Sequence, residues 1–209
     1  MEFIENNQTV STVVIVGMWN YGIFTPDWVK ENVLSEETNF NVLYPTAPLL
    51  SLKFLVPDKY SFGINANRLE FQLLNNKAEN SFDMLTSIRN ILNRLIYTPV
   101  NSFGINFVFK SNGMGGQIAA LGNTAKINKI IGKALAGIEL TRSYDLSDKT
   151  RLNFKIYQNG EDCNFDFNYS YNVKNCEDLL NAIGDDRCIE NLRNKSLSLL
   201  NSLYNNDVE

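Results

Sequence analysis

Histidine is absent from all 209 residues of the chain. Without an imidazole the chain cannot contain a Ser-His or Cys-His nucleophile pair, a His-ligated zinc ion or a histidine acid–base catalyst. Any catalysis would have to use carboxylates, Lys, Arg, Tyr or Cys. The missing histidine therefore excludes several large classes of enzyme.

Cysteine is scarce. The chain has three, Cys163, Cys176 and Cys188, and no Cys-x-x-Cys motif. An odd number at this wide spacing is typical neither of a disulfide framework nor of a zinc knuckle. We expect reduced thiols on apolar faces, and we expect no metal and no cofactor.

Long hydrophobic runs are also missing. The longest, such as residues 13–19, falls far short of the roughly 20 residues that a membrane helix needs. The N-terminus has no positively charged start followed by an apolar core, so it does not have the pattern of a secretory signal. Because 44% of the residues are hydrophobic, the chain can still bury a sizeable core. We expect a cytoplasmic protein without a membrane span.

Acidic residues are missing from a long internal window. No Asp or Glu occurs between Met84 and Ile138, whereas the whole chain has a net charge of −4. The window carries six cations, which are Arg89, Arg94, Lys110, Lys126, Lys129 and Lys133. A cluster of cations without acids indicates a surface that attracts anions.

The three lysines of this window have helical spacing. Lys126, Lys129 and Lys133 would share one face of a helix, with isoleucines on the other face. Together with Arg89 and Arg94 they are the predicted contacts for an acidic protein partner or for nucleic acid. The alternative is an ordinary solvated helix face, neutralised by acids of other elements. The candidate acids are Glu177, Asp178, Asp185 and Asp186.

The residue patterns predict an α+β fold in which an antiparallel sheet is packed by amphipathic helices. Short strands are predicted between residues 39 and 74, where prolines punctuate β-branched and aromatic runs. Helices are predicted after Thr25-Pro26, over 81–97, over 175–183 and over 186–204. We expect an N-terminal α+β half at 1–110 and a C-terminal meander with two helices at 138–209. The segment 111–137 would join them, and the alternative is one continuous domain.

The second half contains the clearest strand. Apolar residues occupy every odd position from Cys163 to Val173, which is the period of a half-buried strand. The pair Asn159-Gly160 favours a two-residue type I′ turn to a partner strand over 151–157. That turn would place Ile156 opposite Cys163, and Asn153 opposite Asp166.

A glycine-rich turn follows the central strand of the chain. Gly113, Gly115 and Gly116 could hold a phosphate if they precede a helix N-terminus. However, Ile118 stands where the dinucleotide fingerprint needs its third glycine, and no Gly-Lys-Ser/Thr follows. The alternative is an ordinary hinge between two subdomains.

Aromatic residues concentrate at one predicted corner between strand and helix. They are Trp19, Tyr21, Phe24 and Trp28. Such residues are enriched at the hot spots of protein interfaces, so the corner is a candidate protein contact. The alternative is that both tryptophans are core residues that seal the first strand against its helix.

No catalytic motif occurs. Asp162 and Asp166 are close in sequence, but a metal-dependent hydrolase needs a larger cluster of oxygen ligands. The sequence therefore favours a non-catalytic binding protein, such as a subunit or adaptor of a protein assembly with a basic surface, in a homo- or hetero-oligomer. The alternatives are a nucleotide or phosphate binder at the glycine turn, or a carboxylate-based hydrolase.

Overall fold

The computed structural model describes residues 4–5, 11–35, 37–44, 52–112, 137–160 and 162–204. The described strands are β1 (Ile4–Glu5), β2 (Thr12–Gly17), β3 (Asn41–Leu43), β4 (Leu52–Val56), β5 (Tyr60–Ile64), β6 (Arg68–Leu73), β7 (Val100–Asn112), β8 (Gly137–Asp145), β9 (Thr150–Asn159) and β10 (Asp162–Asn172). The described helices are α1 (Pro26–Asn32), α2 (Ala78–Arg94), α3 (Cys176–Ile183) and α4 (Cys188–Tyr204), and a short 3₁₀ turn spans Tyr21–Ile23.

The ten described strands form one sheet. Their order is β3-β4-β5-β6-β2-β7-β10-β9-β8, and β1 pairs with the far end of β7. Every pairing is antiparallel. The α+β class with an antiparallel sheet is confirmed, and strands from both predicted halves take part because β7 lies between β2 and β10.

The predicted capping residues are observed in α1 and α3, whereas α2 spans Ala78–Arg94 and not the predicted 81–97. In α1 the Thr25 side chain accepts a hydrogen bond from the Trp28 N–H at 3.2 Å, and Pro26 occupies the first helical position. In α3 Asn175 accepts from the Asp178 N–H at 2.8 Å. Gly184 follows α3 with φ 63°, a conformation that glycine adopts without strain.

One face of the sheet is buried beneath the helices. Alternate residues of β4, β5 and β6 stack their rings there, with Phe62 lying 4.8 Å from Phe54 and 4.9 Å from Phe71. The hydroxyl of Tyr60 bonds Ser87 of α2 at 2.6 Å, and that of Tyr169 bonds Ser196 of α4 at 3.0 Å. Because side chains alternate along a strand, the remaining residues form the opposite face of the sheet.

The predicted register of the β9–β10 hairpin is wrong by two residues. Asn159 pairs with Asp162, so Ile156 lies opposite Phe165 and not opposite Cys163. A shift of two residues leaves every side chain on its predicted face. The observed register places Lys155 opposite Asp166, which have opposite charges, and brings the rings of Phe154 and Phe167 to 4.8 Å.

Within the described ranges, no helix combines the length and apolar character that a membrane crossing requires.

Candidate functional site

The candidate site is the sheet face that points away from the helices, here called the open face. It consists of the residues that alternate with the buried ones, such as Val14 of β2, Gly104 of β7 and Ser170 of β10. All three are half-buried, whereas their neighbours Ile15, Phe103 and Tyr169 are at most 1% exposed. The difference in burial shows that the described helices lie on the other side of the sheet.

A row of hydrogen-bonded side chains crosses five strands of the open face. We call it the amide row, and it consists of Ser143, Asn153, Asn168, Asn106 and Thr12 on β8, β9, β10, β7 and β2. Ser143 donates to the Asn153 Oδ1 at 2.7 Å, and Asn153 donates to the Asn168 Oδ1 at 2.8 Å. Asn168 donates to the Asn106 Oδ1 at 2.6 Å, and Asn106 donates to the Thr12 Oγ1 at 3.1 Å.

Strand pairing explains why the amide row is straight. Asn168 is directly opposite both Asn106 and Asn153, Ser143 is opposite Asn153, and Thr12 is opposite Asn106. Side chains that lie directly opposite on neighbouring strands are close enough for an amide to reach the next one. All four bonds run in one direction, so each asparagine uses one donor and one acceptor.

A shallow hollow of about 260 Å³ lies beside the amide row. Its lining includes Val14, Val16, Ser102, Gly104 and Asn168. A Cβ atom added at Gly104 would lie 3.3 Å from the Asn168 Nδ2, closer than most real Cβ contacts. Glycine at this position therefore leaves room both for the hollow and for the amide of Asn168.

The charges of the open face balance. At the open-face positions of the described strands there are five cations, Lys53, Arg68, Lys110, Arg151 and Lys155, and five anions, Glu70, Glu139, Asp145, Asp162 and Asp166.

Four of these cations form ion pairs within the open face. Arg68 lies 2.9 Å from Glu70, and Lys110 lies 3.0 Å from Asp162. Arg151 lies 2.8 Å from Asp145, and Lys155 lies 2.9 Å from Glu139. Because opposite charges neutralise one another at short range, this part of the face does not present a positive field.

Asp162 and Asp166, the sequence candidates for a hydrolase, have separate neighbours. Asp162 is held by Lys110, whereas Asp166 lies opposite Lys155 in the sheet. Burial raises the pKa of Asp166, the charge of Lys155 lowers it, and the charge of Glu139 raises it further. No group of three or more potential metal-ligating side chains occurs in the described ranges.

The cations predicted as partner contacts differ in their surroundings. Arg89 forms an ion pair with Asp186, and its other terminal nitrogen donates to the Gly184 carbonyl at 3.0 Å. Asp186 is one of the acids named above as a possible neutraliser. Arg94 is exposed in the last turn of α2, where a cation is favoured by the helix dipole. The three lysines Lys126, Lys129 and Lys133 and the three glycines Gly113, Gly115 and Gly116 lie outside the described residues.

The aromatic corner is divided between core and surface. Trp19 and Phe24 are 3% and 1% exposed, so they belong to the core in this conformation. Trp28 is half-buried and packs on Phe24 with ring centroids 4.9 Å apart. Tyr21 is 58% exposed, so of the four aromatic residues it offers the most surface to a partner.

Two of the three thiols are in environments that disfavour thiolate chemistry. Cys176 is buried, and its Sγ lies 3.5 Å from the Leu95 carbonyl and 3.4 Å from the Thr98 carbonyl. Burial raises the pKa of Cys176 to about 11. Burial and the charge of Asp185 raise the pKa of Cys188 to about 11 as well. Reactive cysteines have lowered pKa values, so these thiols resemble structural residues.

Sequence reasoning missed the amide row. The predicted hairpin register placed Asn153 opposite Asp166, which separates it from Asn168. The sequence did contain a signal for a polar face, because Asn164, Asn168 and Ser170 alternate with apolar residues in the clearest strand. Only the strand order, with β10 between β7 and β9, places Asn168 next to the polar side chains of both neighbouring strands.

A scan against protein-family models finds no match for this chain, and a search of curated proteins finds no similar sequence.

Proposed function

We propose that this chain is a non-catalytic binding protein, a subunit or adaptor of a protein assembly, whose open face docks another protein. The observation that carries the proposal is the amide row. A row of five side chains bonded across five strands is an ordered polar surface, and an ordered surface loses little conformational entropy when a partner binds.

The amide row retains hydrogen-bonding capacity for a partner. A side-chain amide has two N–H donors and two acceptor lone pairs on its oxygen, and each asparagine of the row uses one of each. Protein interfaces carry about ten direct hydrogen bonds around a less polar centre. The half-buried Val14 and the 37% exposed Val16 supply apolar surface beside the row.

The charge balance favours a protein partner over nucleic acid at this face. Binding to nucleic acid depends on unpaired Lys and Arg side chains that neutralise phosphates. Four of the cations on the open face are already bound to carboxylates of the same face. A neutral partner surface that forms hydrogen bonds is the better complement.

The raised pKa values of two thiols support the non-catalytic part of the proposal. With histidine absent, cysteine is the strongest nucleophile that the sequence offers. The pKa of both Cys176 and Cys188 is raised by burial, which is opposite to the change that activates a thiol.

The test is a comparison of two arginine variants of the full chain. Ser102→Arg places a long charged side chain in the hollow, and Ser198→Arg is the matched control at an exposed position of α4. Each tagged protein is expressed in the source cell, and co-purifying proteins are quantified by mass spectrometry. Thermal melting of each purified variant checks that it has folded.

We expect a protein that co-purifies with the parent chain and with Ser198→Arg, and whose recovery falls about tenfold or more with Ser102→Arg because a hot-spot contact is blocked. Equal recovery with both variants would refute docking at the open face. So would the absence of any co-purifying protein, or recovery that nuclease treatment abolishes.

A further inference from the structure

The outer strand β8 leaves one side of its backbone without a partner strand in the described part of the chain. All nine of its residues pair with β9, from Gly137 opposite Asn159 to Asp145 opposite Arg151. Seven of the nine are exposed. The other outer strand, β3, has only three residues. A long exposed edge is a template for pairing with another chain.

The hydrogen bonds next to β8 show which of its groups point outward. The Leu146 N–H donates to the Thr150 carbonyl at 2.8 Å, at the closed end of the β8–β9 hairpin. Backbone bonds alternate along an antiparallel pair, and no register shift interrupts this one. The residues two, four and six positions before Leu146 therefore bond to β9. Glu139, Thr141 and Ser143 turn their N–H and C=O groups outward.

Three protections that are common at sheet edges, which are proline, lysine and a β-bulge, are missing from β8. Its sequence, Gly-Ile-Glu-Leu-Thr-Arg-Ser-Tyr-Asp, has no proline and no lysine, and the pairing with β9 contains no bulge. The exception is Arg142, which shares a face with the apolar residues Ile138, Leu140 and Tyr144. A charge at such a position opposes pairing unless the partner strand accommodates it.

One register of β8 with a second β8 does not place that charge opposite a like charge. If Thr141 lies opposite itself across a two-fold axis, Arg142 faces Leu140, Ile138 faces Tyr144 and Glu139 faces Ser143. No like charges are directly opposite, and the pair of Ile138 with Tyr144 is of the favourable β-branched and aromatic kind.

The register shifted toward the C-terminal end of β8 is less favourable. A register centred on Arg142 would place two guanidinium groups opposite each other, which is destabilising. Thr141 is the midpoint of the nine residues, so the register centred on it is also the one that pairs the whole strand. The two acids of β8 are already neutralised, since Glu139 is bound by Lys155 and Asp145 by Arg151.

We propose that the partner of this edge is a second copy of the chain, and that two copies pair β8 with β8 in antiparallel fashion about an axis at Thr141. Such an interface is isologous, because the same surface serves both copies. By the same alternation Gly137 and Asp145 also point outward, so five residues of each copy form about ten backbone hydrogen bonds with the other copy. The two sheets become continuous. The pairing does not depend on the partner of the open face.

The first test is the mass of the full chain as a function of concentration, measured by sedimentation velocity. A single strand pair is a small interface, so we expect a reversible dimer that appears as the concentration rises. Thr141→Pro removes an outward N–H but leaves the hydrogen bonds between β8 and β9 intact. This variant should stay monomeric over the same range of concentrations. Thr141→Val keeps the backbone and the branched side chain, and it should dimerise like the parent chain.

The second test identifies the register by oxidative crosslinking. At the axis, Thr141→Cys would face its own copy with Cα atoms about 5.5 Å apart, a distance that a disulfide spans. Ser143→Cys would lie about 13 Å from its copy, since four residues separate the two sites along the strand, and should not crosslink. The parent chain measures the background from its three native cysteines.

A parent chain that stays monomeric at all concentrations would overturn the proposal. The same holds for a dimer that persists in Thr141→Pro, or for Ser143→Cys crosslinking as fast as Thr141→Cys. The crosslinking result stands even if Thr141→Pro does not fold.

Discussion

Removing the central amide of the row is the most direct test of its structural role. In Asn168→Ala the row loses both bonds of Asn168, the 2.6 Å bond to Asn106 and the 2.8 Å bond from Asn153. The net contribution of one such bond is about 0.5–1.5 kcal/mol. Asn106 and Asn153 are half-buried, so water can replace part of what is lost, and the lower part of that range applies.

The expected loss of unfolding free energy is therefore about 1–2 kcal/mol for the two bonds together. For a chain of this length, 1 kcal/mol corresponds to a change in Tm of roughly 2–4 °C. The measurement is urea unfolding followed by tryptophan fluorescence, with Trp19 buried in the folded core. The midpoint should fall and the slope should stay constant, because the surface exposed on unfolding hardly changes.

The same strand supplies the matched control. Asn164 lies four residues before Asn168 on the open face, and within the described residues its Oδ1 has no hydrogen-bond partner. Asn164→Ala should therefore leave stability unchanged or raise it slightly. A double-mutant cycle of Asn168→Ala with Asn106→Ala should give a coupling energy of at least about 0.5 kcal/mol. If Asn168→Ala and Asn164→Ala unfold at the same urea concentration, the hydrogen bonds of the amide row do not contribute to stability.

Three further predictions concern the core. Gly17→Ala should cost about 1–3 kcal/mol, because the new Cβ would lie 2.5 Å from the Pro99 carbonyl oxygen, whereas Gly22→Ala should be nearly neutral in the same urea titration. Burial raises the pKa of Tyr60 to about 12 from an ordinary value of 10.0, so stability should fall by up to about 2–3 kcal/mol as the pH rises through that window. Tyr60→Phe should lack that part of the loss, and an identical pH profile would contradict the assignment. Cys176 should react with a thiol reagent about tenfold or more slowly in the folded chain than in urea, and equal rates would show that its thiol is not buried.

Much of the fold follows from local patterns in the sequence. The cap at Thr25, the proline after it and the glycine at 184 mark helix ends that the structure reproduces within a few residues. The alternation in β10 assigns each of its side chains to the correct face. These features depend on the backbone geometry of a few neighbouring residues, which is why the sequence alone predicts them.

The register and the order of strands are not local. A hairpin shifted by two residues keeps the same buried face, and its energy differs only in cross-strand pairs worth about 0.2–1 kcal/mol each. The position of β10 between β7 and β9 likewise depends on pairing across the whole sheet. The amide row depends on the register and on the strand order. Because Asn106 and Asn168 are far apart in sequence, no local pattern could have predicted their contact.

The same non-local pairing changes the meaning of the acid-free window. Within the described residues, Lys110 is matched by Asp162 and Arg89 by Asp186, so acids from distant segments neutralise cations that have none nearby in sequence. Binding at the balanced open face should then change little with salt, because short-range hydrogen bonds are screened weakly. Binding through Lys126, Lys129 and Lys133 would fall steeply as salt rises. A salt series on the co-purified complex separates the two surfaces, and a steep decline would place the contact on the lysines and contradict docking at the open face.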